Sequence, residues 1–369
     1  MYYKSFVKII YLTINIFFLI IIAAIVIFDP LQAFHKSWFY PGKYYTKNIK
    51  EASYGIIKYA DFDSLIIGSS MANNFSANEA SRQLGGNFIN LSAYGLSLVE
   101  RKILLKHLFN VKRPKTIIYS LDRFKDEDFL NNYDKLYGSI FDKVSFYCNN
   151  RFVGLVMETI FYRNNLTDNL DCPNAWWHAC KRYFGRVSGW IKFAVAGDRH
   201  TRHLLKSVIR VMEAKDKIND GDLQSDYYTP INDCLIDFCK KHTQTMFIIF
   251  LPPYHKIYWK TESALGSRFE LHYTGVKYLL QNTKNYKNII VFGFDNDSFT
   301  TDISRYRDGK HYDEKINSYI LNAIREKTHI LTVENVDEYF EKMKKDIQHF
   351  DLKHFYYQIK GFKKYIDRF

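Results

Sequence analysis

The chain has 369 residues, 47% of them hydrophobic, and a formal charge of +13 at neutral pH. That apolar content supports a sizeable core in one large or two ordinary domains and excludes a disordered chain. The positive balance suits an anionic polymer or membrane surface, but the cations are scattered and form no zinc-finger, basic-zipper or RNA-binding pattern, so no nucleic acid is expected as a partner.

The first predicted element follows Lys4 and Lys8: the uncharged run "IIYLTINIFFLIIIAAIVIF", residues 9 to 28, closed by Asp29 and Pro30. About 20 apolar residues, each rising 1.5 Å, match the roughly 30 Å hydrocarbon core of a bilayer. The run is longer than a signal-peptide core and "DPLQAF" is a weak cleavage site, so residues 1–30 are expected to remain as a transmembrane signal anchor. Lys4 and Lys8 favour a cytoplasmic N-terminus, although Lys36, Lys43 and Lys47 follow the span. The remainder is expected on the extracytoplasmic (periplasmic) side of the cytoplasmic membrane, with the membrane itself as a partner.

From residue 60 onward, short buried runs alternate with helical patterns. "SLIIGS" (64–69), "NFINLS" (87–92), "KTIIYSLD" (115–122), "TMFIIFLPP" (245–253) and "NIIVFGFD" (288–295) read as strands. Helices are expected at 76–84, 97–109, 231–242, 275–283 and 314–327. The alternation predicts an α/β domain over 60–327, a flavodoxin-like three-layer sandwich with a five-stranded parallel sheet. Residues 125–230 interrupt it as a mainly helical insertion capping the strand ends. Its tryptophans, Trp176, Trp177 and Trp190, suit either a substrate-facing lid or a packed subdomain.

In the tail, 331–369, Leu352, Phe355, Ile359, Phe362 and Ile366 recur at helical spacing between lysines, predicting a basic amphipathic helix that lies on the membrane, a partner or its own domain. Five cysteines leave at least one unpaired. Cys172 and Cys180 could bridge, whereas Cys234 and Cys239 read as core thiols; no spacing calls for a metal, and no cofactor is expected.

Two turns could carry chemistry. "GSS" (68–70) ends the first strand and places Ser70 at the carboxyl edge of the sheet, beside free helix amides. "SRYRDGKHYDEK" (304–315) follows the fifth strand at the same edge, and its Asp308 and His311 are spaced for a carboxylate to orient an imidazole that takes a proton from a serine. Asn73 and Asn74, just after the serine, could bind substrate or start the next helix. His255, after the fourth strand, could contact substrate or be a loop histidine.

In these residues the chain resembles the SGNH or GDSL hydrolase superfamily, particularly its membrane-anchored O-acyltransferase-like branch, which includes the lipoteichoic-acid D-alanyl transfer protein and the alginate acetylation proteins. The likeness covers roughly 60–122 and 231–327. It implies Ser70 as nucleophile, Gly95 of "NLSAYGLS" (90–97) as an oxyanion-hole amide, Asp308 as orienting acid and His311 as base. It further implies a multi-spanning membrane O-acyltransferase as acyl donor and a cell-surface polysaccharide as acceptor. One departure concerns the third block: where an asparagine usually supports the oxyanion, this chain has Asp122, so Asp122 is structural or Ser120, Arg123 or Asn73 contributes instead. Three functions remain open on the residues: an acyltransferase, an anchored esterase or deacetylase, and a non-catalytic scaffold.

Overall fold

The computed structural model describes all residues except 1, 123–132, 148–153, 155, 159–165, 214–227, 266–267 and 368–369. The apolar run at the N-terminus forms helix α1, Tyr2–Phe28, the one helix among the described residues long and apolar enough to cross a membrane. Asp29 ends it. The buried carboxylate of Asp29 accepts from the backbone N–H groups of Ala33 (2.9 Å), Phe34 (2.8 Å) and His35 (2.9 Å), which turns the chain sharply into α2, Ile49–Tyr59.

The body of the protein is mixed α/β. Strands β1 (Ser64–Ile67), β2 (Phe88–Asn90), β3 (Thr116–Ser120), β4 (Met246–Leu251) and β5 (Ile289–Gly293) are parallel, in the order β2-β1-β3-β4-β5. The sheet is one strand wider than expected, because Ile330–Leu331 adds a sixth, antiparallel strand β6 beside β5. Two residues carry no legible alternation, so the strand is set by its neighbour rather than by its own pattern.

The strand residues Ile66, Ile67, Ile117, Ile118, Phe247 and Ile249 are fully buried, as parallel strands covered on both faces require. Helix α3 (Ala77–Leu84) packs with α10 (Glu314–Glu326, named in chain order with those below) on one face; α2 packs with α4 (Leu98–Val111) on the other, where a helical run over 228–241 joins them. α4 begins with a full capping box between Ser97 and Glu100.

The described parts of the insertion are mainly helical: α5 (Ile140–Tyr147), α6 (Val187–Val195) and α7 (Arg199–Glu213). α8 (Lys256–Leu265) and α9 (Arg268–Thr283) follow β4. The tail forms α11 (Val336–His349) and α12 (Leu352–Ile359), broken where Asp351 caps α12 by accepting from His354 N–H at 2.9 Å. Leu352, Phe355, Ile359 and Ile366 are buried, and Phe355 lies 5.7 Å from Trp190. The apolar stripe of the tail therefore packs on its own domain, and only Phe362 of the five stays exposed. Cys234 and Cys239 lie in the core, and Cys172 and Cys180 are not bridged to one another: Cys172 Sγ lies 3.9 Å from Asp171 Oδ2, and Cys180 Sγ accepts from Arg307 Nη1 at 3.4 Å. Cys148 lies outside the described residues.

Candidate active site

β1 ends in the turn Gly68-Ser69-Ser70, and the first residue of that turn has to be glycine. A Cβ at Gly68 would sit 2.6 Å from the Cβ of Ser120 on neighbouring β3 and 2.9 Å from that of Ala72. The turn is then pinned from three directions. Asn90 Nδ2, at the end of β2, donates to the carbonyls of Ala72 and Phe75 at 2.9 Å each. The hydroxyl of Tyr312 donates to Met71 O at 3.2 Å, and Trp176 Nε1 donates to the carbonyl of Ser70 itself at 2.9 Å.

The second turn closes on its own carboxylate. Asp308 Oδ1 accepts from the backbone N–H groups of Lys310 (2.8 Å) and His311 (2.9 Å), and Arg307 N–H donates to His311 O at 2.9 Å. His311 Nδ1 stands 2.8 Å from Asp308 Oδ2, and its Nε2 stands 2.9 Å from Ser70 Oγ, although the two residues are 241 positions apart in sequence. The ionised carboxylate only accepts, so Nδ1 carries the proton and Nε2 accepts from the serine hydroxyl. Burial opposes ionisation of Asp308, but His311 and the Arg307 guanidinium outweigh it and hold the carboxyl well below the usual carboxylate range. Ser70, His311 and Asp308 thus form one serine–imidazole–carboxylate chain, with Ser70 half-buried and the other two buried.

Gly95 lies in the loop after β2, with φ +60°, and Ala93 N–H ties that loop to Gly68 O at 3.1 Å. Asn73 is fully buried, with neither its Nδ2 nor its Oδ1 hydrogen-bonded; Ser120 Oγ, at the end of β3, is likewise unpartnered.

Two residues read as candidate substrate contacts are engaged otherwise. Asn74 Oδ1 accepts from the backbone N–H groups of Trp176 (3.0 Å) and Trp177 (3.2 Å), so Asn74 clamps the insertion to the Ser70 turn. His255 is buried among the rings of Trp190, Tyr306 and Phe350, and its backbone N–H donates to Gly309 O at 3.0 Å. Burial pulls its pKa down to about 3, so it is a neutral buttress beneath the Asp308–His311 turn rather than a ligand contact.

Asp122 has its own answer. Its Oδ1 accepts from Arg101 Nη2 at 2.7 Å, and the same buried guanidinium donates from Nε to Leu96 O at 3.0 Å and from Nη1 to Ser120 O. One cation therefore neutralises Asp122 and joins the end of β3 to the loop that carries Gly95. Arg123 lies outside the described residues. A signal for Arg101 exists in the sequence: it falls on the same helical stripe as Leu98, Leu105 and Leu108, where a charge needs a buried partner.

Arg307 and His200 were not singled out for the site, and Trp176 was read only as part of a lid or packed subdomain. Trp176 meets His311 edge-on, with centroids 5.3 Å apart at 90°. Arg307 stacks over Trp176 (4.6 Å) and Phe193 (4.8 Å) and donates from Nη1 to Cys180 Sγ at 3.4 Å. His200, at the start of α7, has its ring 6.1 Å from that of His311; its side chain keeps contact with solvent, but partial desolvation by the surrounding protein, together with the neighbouring imidazole, lowers its pKa. Among the described residues, no group of three or more His, Cys, Asp or Glu side chains is arranged to hold a metal ion.

Chemically, such an arrangement can move a proton from Ser70 Oγ to His311 while Asp308 holds the imidazole's tautomer and offsets its developing charge. Compared with known proteins, the chain matches no family model and no curated protein sequence.

Proposed function

We propose that the protein is a membrane-anchored, extracytoplasmic SGNH-type serine acyltransferase that O-acylates, most simply O-acetylates, a cell-envelope polysaccharide. The observation that carries the reading is the chain Ser70 Oγ to His311 Nε2 at 2.9 Å and His311 Nδ1 to Asp308 Oδ2 at 2.8 Å, at the carboxyl edge of a parallel sheet. The strand order β2-β1-β3-β4-β5 is that of flavodoxin-like doubly wound sheets, whose ligands bind at this edge. Ser70 attacks the acyl donor as His311 takes its proton; an ester forms on Ser70 and the donor's leaving group departs with a proton returned by His311. The acceptor hydroxyl then attacks the ester, and Ser70 regains its proton. The amides of Ser70 and Gly95, with Asn73 Nδ2, are the proposed oxyanion donors.

Transfer rather than hydrolysis is favoured by α1, which would hold the site at a membrane, and by the +13 charge, which suits an anionic polymer. Outside the cytoplasm the acyl group must arrive across the membrane, and a single span cannot carry it, so the reading includes a multi-spanning O-acyltransferase as donor partner. Asp122, the one feature of the sequence that favours a non-catalytic scaffold, is ion-paired with Arg101, which supports a structural role for it and leaves the catalytic reading in place.

The test is labelling of the full chain with a fluorophosphonate, alongside turnover of a chromogenic acetyl ester, in wild type, Ser70→Ala and His311→Ala. Labelling and turnover in the wild type alone are expected. Equal reactivity in all three proteins would overturn the assignment, and rapid ester hydrolysis without transfer to added polysaccharide would favour the esterase.

A further inference from the structure

Around the exit of α1 a group of large apolar side chains faces outward. Outside α1, Trp38 is 63% exposed, Phe39 52%, Ile140 56%, Phe141 81% and Val144 43%. Ile140, Phe141 and Val144 share the outward face of α5, at i, i+1 and i+4. The inward face of α5 buries Phe146 and Tyr147 in a small cluster with Leu31, Tyr45 and Tyr54, and the Tyr147 hydroxyl donates to the Asp29 carboxylate that ends α1.

The same cluster receives Ile21, Ala24 and Phe28 of α1. Ile21 lies seven residues before Phe28, so the cluster flanks about 10 Å of the helix, its last two turns. A body beside that length of a membrane-spanning helix sits at the depth of the lipid headgroups and outer acyl chains, where outward side chains meet lipid rather than water. The outward residues of α5 fit that medium. So does Trp38, since tryptophan favours the membrane interface, and the exposed Lys36 and Lys43 bracket it as cations for lipid phosphates. Asp142, on α5, is already satisfied by the backbone N–H (2.8 Å) and hydroxyl (2.7 Å) of Ser139.

We propose that α5 and the 36–43 loop form a second, monotopic membrane contact, seated in the leaflet at the C-terminal end of α1, with a phospholipid interface as its partner. The inference rests on reading α1 as a membrane span, and it implies a domain held at fixed height and tilt rather than swinging on a tether.

The experiment places a photoreactive benzophenone side chain at position 141, 17 or 319 of the full chain, reconstituted in vesicles of phosphatidylethanolamine and phosphatidylglycerol. Phe17 lies within α1, and Tyr319 lies on α10, across the sheet from α2. Phe141 is so exposed that replacing it disturbs no packing. Expected are phospholipid adducts by mass at 17 and 141 and none at 319. Lipid at 17 with none at 141 overturns the second contact alone; no lipid at 17 overturns the span and the contact with it. A protein-sized adduct at 141 in place of lipid overturns the proposal in favour of a second copy of the chain.

Discussion

Removing the guanidinium of Arg101 tests how the site is framed. Arg101 and Asp122 are buried, and Arg101 also satisfies Leu96 O and Ser120 O and lies 5.2 Å over the ring of Tyr119. Arg101→Met keeps the length and apolar stem of the side chain but leaves the Asp122 carboxylate unpaired and two carbonyls without their donor. Breaking a buried pair from one side costs about 3–5 kcal/mol, most of it the desolvation of the charge left behind. For a chain of this size that is a fall of roughly 5 °C in Tm.

The double variant Arg101→Met/Asp122→Asn removes the orphaned charge, so it is expected to be more stable than the sum of the single effects predicts, by about 2 kcal/mol. Urea unfolding of the full chain at fixed detergent, followed by tryptophan fluorescence, measures the cycle. Because the guanidinium holds Leu96, next to Gly95, acetyl-ester turnover is expected to fall in the single variant even at temperatures where it stays folded. A cost for Arg101→Met below about 1 kcal/mol, or strict additivity, would refute the claim that one buried cation joins the two loops.

Gly68→Ala drives a methyl into Ser120 Cβ and should cost about 1–3 kcal/mol in the same unfolding assay, with Ser120→Gly restoring part of it; an unchanged midpoint would mean the turn is looser than its geometry implies. Asp308→Asn should retain the fold yet lower acetyl-ester turnover by about 10²–10⁴-fold, since the tautomer of His311 is no longer held; turnover within threefold of wild type would sink the orienting role. His255 supplies a pH dependence. Its native pKa of about 3 lies below the usual 6.5, so the unfolded chain binds the extra proton between those values, and stability is lost as pH falls below about 6.5. At about 1.4 kcal/mol per pH unit, the wild type should lose roughly 2 kcal/mol more than His255→Asn between pH 7 and pH 5, and equal slopes for the two would contradict the buried neutral imidazole.

The frame was legible because each of its parts is local. Five buried runs ended in turn residues, and Ser76, Ser97 and Asp313 stand where side-chain caps form, so their helices begin within a residue or so of expectation. The carboxyl-edge position of Ser70 and His311 follows from the strand order alone. What the sequence hid is long-range: the bond from Trp176 to Ser70 O spans 106 residues, and Asn74 is occupied by the insertion's backbone, so neither role has a local signature. His255 misleads because a histidine after a strand is as good a loop residue as a core one until the rings of Trp190 and Phe350, from distant segments, close over it.

These long-range contacts change what the insertion is. A lid covers a site that is complete without it, but here Trp176 fixes the Ser70 carbonyl, meets the edge of the His311 ring and stacks beneath Arg307. Arg307 in turn shares Asp308 Oδ2 with His311, donating to it from Nε at 3.2 Å and Nη2 at 3.1 Å. A guanidinium on that oxygen helps keep the carboxylate ionised, so Arg307 and His311 share one acceptor. Phe193 on α6 holds the other face of the guanidinium, and Leu204 on α7 packs where a Cβ at Gly309 would stand. Through these contacts Trp176, Phe193 and Leu204 of the insertion hold Arg307 and the 307–311 turn in place, so any movement of that segment would shift the guanidinium against Asp308 and disturb the geometry of the Ser70–His311–Asp308 chain.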